Sequence, residues 1–170
     1  MSGRDFLKKL DERGLAEFLR EWRQSLAKPE EIAYLCVGTD RSTGDALGPL
    51  VGSGLAAAGI GPVIGTLEAP CDADNLLDRL RELPEGYSVV AIDACLGHPS
   101  SVGKFVAYRG PLEPGRSLGR GFPPIGDCSV AGVVNAEGAK PYAVLQQTSL
   151  YRVMGMAEAI VRAVVSAVKD

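Results

Sequence analysis

Histidine is nearly absent from these 170 residues: there is one, His98. That scarcity disfavours a serine-protease triad, in which a single histidine would have to do everything, and no GxSxG elbow occurs either. The four cysteines, Cys36, Cys71, Cys95 and Cys128, are scattered without CxxC spacing. They read as small buried hydrophobes in a reducing compartment, not as a zinc site. No window approaches the roughly 18 consecutive apolar residues of a membrane span, and the charged N-terminus carries no apolar signal core. Basic blocks are missing too. The net charge is −3, so neither nucleic acid nor an anionic membrane finds an electrostatic footprint. The expectation is a cytoplasmic protein that meets small molecules, peptides or a second copy of itself.

What is present has the composition of an ordinary globular domain, 46% hydrophobic and 23% charged. Residues 5–26 place Phe6, Leu7, Leu10, Leu15, Phe18, Leu19 and Trp22 at three- and four-residue intervals, which predicts helix. Residues 1–30 thus read as an N-terminal helical extension, with an exposed Trp22 as the contact for a homo-oligomer. Residues 31–170 read as one α/β domain. Apolar runs at 31–38, 62–69 and 88–94 predict strands covered on both faces, separated by helices over 46–59 and 71–83. A fourth strand is expected over 102–110 and two short ones in SVAGVVN and AKPYAVLQ. The Gly/Pro-rich stretch 110–128 is an irregular connection, and residues 148–170 form a long helix capped by Thr148 or Ser149. On that helix Met154, Met156, Ile160 and Val164 read as core, with a dimer face as the alternative. The alternation of strand and helix implies a three-layer α/β/α fold with a mostly parallel sheet.

In such folds ligands bind outside the carboxyl ends of the strands. Two acids satisfy that rule. Asp45 closes the loop GTDRSTGDALGP after the first strand. Pro49 is poorly tolerated beyond a first helical turn, so the helix starts near Asp45. Asp93 is the first charge after the buried run SVVAI, where a carboxyl is costly to bury without a partner. Each has a plain structural alternative, an N-cap for Asp45 and a loop-amide acceptor for Asp93. Together they point to paired carboxylates that shift each other's proton affinity. Asp45, at a helix N-terminus, is the expected ionised partner, and Asp93 the protonated one. Asp40, Asp127 and His98 are further candidates at the same mouth. Arg41, Thr43 and Gly44 could hold substrate or an anion, although the loop lacks the GK[ST] and GxGxxG patterns and Asp40 and Asp45 would repel phosphate. If a divalent metal is bound, Asp45 and Asp93 are its expected ligands.

At GTDRSTGDALGP, AIDACLG and GDCSVAGVVN the chain resembles the sporulation-associated YyaC family, read as spore proteases of spore-forming bacteria; the likeness spans residues 31–165. That family is similar, more distantly, to the germination protease and to the hydrogenase-maturation endopeptidases. The resemblance implies a phosphorylase/hydrolase-like fold, peptidase activity on a protein or peptide, and a place in the forespore or mother cell. In the germination protease, acids matching Asp45 and Asp93 are implied in catalysis. In the maturation endopeptidases the matching positions bind the substrate's nickel together with a later histidine, which has no counterpart here. The alternative is a regulatory protein that keeps the cleft and binds peptide or metal without turnover.

Overall fold

A computed structural model describes residues 7–114 and 121–169; Phe6 and residues 115–120 of the irregular connection lie outside them. The elements are β1 (Lys9–Leu10), α1 (Glu12–Gln24), β2 (Ile32–Cys36), α2 (Leu47–Ala57), β3 (Val63–Ile64), α3 (Leu76–Leu80), β4 (Ser88–Gly97), β5 (Phe105–Arg109), β6 (Cys128–Ala136), α4 (Pro141–Gln146) and α5 (Leu150–Lys169). They build one six-stranded sheet of order β1-β5-β6-β4-β2-β3. The block β6-β4-β2-β3 is parallel, while β5 and β1 add to it antiparallel. Sheet and flanking helices form an α/β/α sandwich.

Burial explains the unbroken apolar runs. Along β2, Ile32, Tyr34 and Cys36 pack into the cluster shared with α1, α2 and α5. Ala33 and Leu35 alternate into a second cluster with Leu76 of α3, Leu112 and Ile125. A strand buried on both faces needs apolar residues at every position. Helix α2 rides close on the sheet through glycine: a Cβ on Gly48 would collide with the Val37 carbonyl, and one on Gly52 with that of Gly65.

The N-terminus departs from the predicted helical extension. Lys9 and Leu10 pair with Val106 and Phe105 as an edge strand, and the helix begins only after Asp11, whose carboxylate accepts the Gly14 amide at 2.8 Å. Trp22 is 4% exposed and buried with Leu15 and Leu19, so it cannot serve as an exposed oligomer contact. The amphipathic face of α1 is consumed by α5, where Arg162 also forks onto Glu12 at 2.8 and 2.9 Å. The segment AKPYAVLQ is a helix and not a strand. Pro141 occupies its first turn, where its missing N–H costs nothing. The strand over 62–69 contracts to two residues and the helix over 71–83 to five. Met156, Ile160 and Val164 lie in the core, whereas Met154 is exposed.

Candidate functional site

Asp45 sits in a 3-10 turn, Gly44–Ala46, that leads into α2. The turn is held from three sides. Thr39 donates its amide to the Asp45 carbonyl at 3.1 Å, Gly38 lies so close beneath that a Cβ there would strike the same carbonyl, and Leu145 of α4 covers Gly44. Asp45 does not cap α2. Ala46 holds the cap position, and no side chain bonds to the free amides there. Burial raises the pKa of Asp45 above the ordinary value, outweighing the opposing pull of the nearby Ser42 hydroxyl. Ser42 is itself 6% exposed, and its Oγ makes no hydrogen bond of full geometry among the described residues.

Asp93 is not at the end of its strand. β4 runs on to Gly97, paired with β6 throughout. What ends beside Asp93 is β2: the last paired residues are Cys36 and Ile92, and Val37 donates to the Ile92 carbonyl at 2.8 Å. Beyond that point Gly38 (φ 150°) bends the chain away. The Asp93 carboxylate takes the freed position, its Oδ1 accepting the Ala94 amide at 2.8 Å. On the far side of Val37, Gly38 donates to the Cys71 carbonyl. Asp93 is close enough to Cys71 to add to the effect of burial, which lifts that thiol to about 11.

Backbone packing brings the Asp45 turn to the end of β2, beside β4. The Asp45 backbone rests on Gly38, the next residue along β2 from the one that would face Asp93, and the 3-10 turn packs against β4. The other candidates scatter. Asp127 lies at the opposite end of β4, exchanging 2.8 Å bonds with the Val89 amide and carbonyl. Four residues separate Val89 from Asp93, about 13 Å of strand. His98 follows β4 and is exposed; its Nδ1 bonds Ser100 Oγ at 2.7 Å and accepts the Ser100 amide, a cap for the short turn Pro99–Ser101. Asp40 and Arg41 are exposed on the loop, and the Arg41 amide is occupied by Thr39 Oγ1. Thr43 begins the 3-10 turn and Gly44 is buried beneath α4. No group of three His, Cys, Asp or Glu residues able to hold a metal occurs among the described residues.

Sequence reading missed Ser42, which nothing distinguishes from other loop serines. It also missed Asn135, at the same end of the sheet, which donates to buried Thr148 at 3.2 Å. The strand-end rule that singled out Asp93 applies equally to Asn135.

Residues 7–163 match the family described as "Protein of unknown function (DUF1256)". The chain is 43% identical over 143 residues to the uncharacterized protein YyaC of Bacillus subtilis strain 168, covering 81% of this chain and 69% of that one. Among solved structures it resembles the NiFe hydrogenase maturation protease HybD from Thermococcus kodakarensis (TM-score 0.50, 18% identity, 78% of this chain and 96% of that one). It also resembles HycI, a NiFe hydrogenase maturation protease of the same organism (TM-score 0.49, 18% identity, 79% and 92%). At that identity the likeness to HybD concerns the fold.

Proposed function

Because this chain belongs to the DUF1256 family, that of Bacillus subtilis YyaC, we propose that it is a peptidase of the sporulating cell in which Asp45 and Asp93 act as a pair. The observation that carries the reading is the break in the sheet where β2 leaves β4, with one acid on each side of it. The α/β/α fold shared with HybD supports it, and we read that fold as phosphorylase/hydrolase-like.

Burial raises the pKa of Asp45, and on that ground we assign Asp45 the part of the acid and Asp93 that of the base. In hydrolysis Asp93 takes a proton from water as the water oxygen bonds to the scissile carbonyl carbon. Asp45 lends its proton to the carbonyl oxygen. When the C–N bond breaks, the departing nitrogen takes up a proton from the acid pair and leaves as the amine. This chemistry uses the carboxylates themselves.

The test is a comparison of new protein N-termini in an extract of sporulating cells. The purified chain should generate cleavages that Asp45→Asn and Asp93→Asn do not. Identical cleavage by all three, or none by the wild-type chain, would defeat the peptidase reading.

A further inference from the structure

β4 outruns its neighbour on one side only. On the β6 side pairing continues through Leu96 with Asn135 and Gly97 with Ala136, and Glu137 donates to the Gly97 carbonyl at 2.9 Å. On the β2 side the ladder stops at Ile92. In a strand, backbone groups of alternate residues face alternate sides. Ile92 faces β2, so Ala94 and Leu96 do as well. The Ala94 amide is taken by Asp93 Oδ1. The Ala94 carbonyl and both the amide and carbonyl of Leu96 have no protein partner among the described residues. Ala94, Leu96 and Gly97 are each half-buried, and no ladder to β2 covers that side of them.

Open strand edges are liabilities that proteins usually cover or blunt with charge. This one is short and begins at Asp93. We propose that it is the substrate-docking edge, and that the substrate is an extended, unstructured polypeptide segment added to β4 as a strand where β2 leaves off. The spacing fits one residue of such a segment: its N–H would bond the Ala94 carbonyl and its C=O would accept the Leu96 amide. A second amide, two residues on, would reach the Leu96 carbonyl. Recognition through backbone groups makes little demand on side chains. It admits a flexible tail or loop and rejects a folded domain, whose backbone groups are already paired. A docked segment would also lie alongside the Asp93 carboxylate, next to the Asp45 turn.

This inference deepens the peptidase reading and rests on it. The probe is the capped peptide acetyl-(Thr-Val)3-amide, added at millimolar concentration to the 15N-labelled Asp45→Asn chain, which that reading leaves without turnover. The Leu96 amide should exchange with deuterium about tenfold more slowly or better. Of two versions of the peptide N-methylated at alternate residues, one should lose the effect, since only one set of amides can face β4. An unchanged Leu96 amide, or equal protection by both methylated peptides, would overturn the docking edge. The two failures are separable. Asp-dependent cleavage without Leu96 protection removes the docking edge alone, and Leu96 protection without cleavage removes the peptidase reading while leaving a peptide-binding edge.

Discussion

Leu145 closes over Gly44: a methyl group on Gly44 would meet Leu145 Cδ2 at 2.8 Å and the Leu145 carbonyl at 3.0 Å. The backbone carbonyl cannot swing aside as a side chain could, so Gly44→Ala has to displace the Asp45 turn or α4. Overpacking of this kind typically costs about 1–3 kcal/mol. Denaturant unfolding should show that loss. If the acids act as proposed, cleavage by the folded fraction should fall as well, because Asp45 moves with its turn. An unfolding midpoint equal to that of the wild type would show that α4 does not clamp the turn.

Asp45 should also be a thermodynamic burden at neutral pH. Its folded-state pKa lies above the ordinary 3.8 because of burial. Between those two values the folded chain holds a proton that the unfolded chain has released, so stability declines as pH rises through that window. Asn carries no charge and escapes the decline. Asp45→Asn is therefore expected to be more stable than wild type at pH 7. The gain should shrink on acidification and vanish below 3.8, as read from urea midpoints across the range. A variant less stable at pH 7 would contradict the desolvated carboxyl.

Most of the fold is legible in the sequence because double-sided burial leaves an unmistakable mark. Ile32 to Cys36 and Val89 to Ile92 are apolar at every position, and little besides an inner parallel strand produces that pattern. The segments misread are those in which tertiary contacts override local pattern. Lys9 and Leu10 extend the helical spacing of α1, yet they pair with β5. AKPYAVLQ is too short for its period to show, and α4 is fixed by one buried residue, Leu145. Asp93 stands out in the sequence as the first charge after an apolar run, although it lies inside β4 and not at its end. The surroundings of Asp45 and Asp93 do not, because β4 outrunning β2 is a property of two strands together and burial of Asp45 depends on the packing around it.

Asp127 offers a contrast between an acid that holds the fold and acids proposed to act. Its Oδ2 accepts the Val89 amide at 2.8 Å while its own amide donates to the Val89 carbonyl, a clamp at the start of β4. Asp127→Ala leaves that amide without its carboxylate partner and should cost about 1.5–3 kcal/mol, the range for a hydrogen bond to a charged group. Cleavage per folded molecule should not change. A loss of cleavage without a loss of stability would return Asp127 to the candidate site.

Ser42 gives the sharpest separation of the two proton roles. Its hydroxyl favours the ionised form of Asp45 and so opposes the dominant effect of burial. Removing it in Ser42→Ala must drive the pKa of Asp45 further upward, a shift measurable from the 13C resonance of that carboxyl against pH. The consequence for cleavage depends on which role Asp45 plays. If Asp45 is the acid, it must be protonated to work, and a higher pKa carries the alkaline limb of the pH–rate profile upward. If it is instead the base, the same shift moves the acidic limb upward and activity is lost at low pH. The proposed assignment requires the first outcome, with Ser42→Thr, which keeps the hydroxyl, restoring the wild-type profile. Movement of the acidic limb would exchange the roles of Asp45 and Asp93 while leaving both in the reaction.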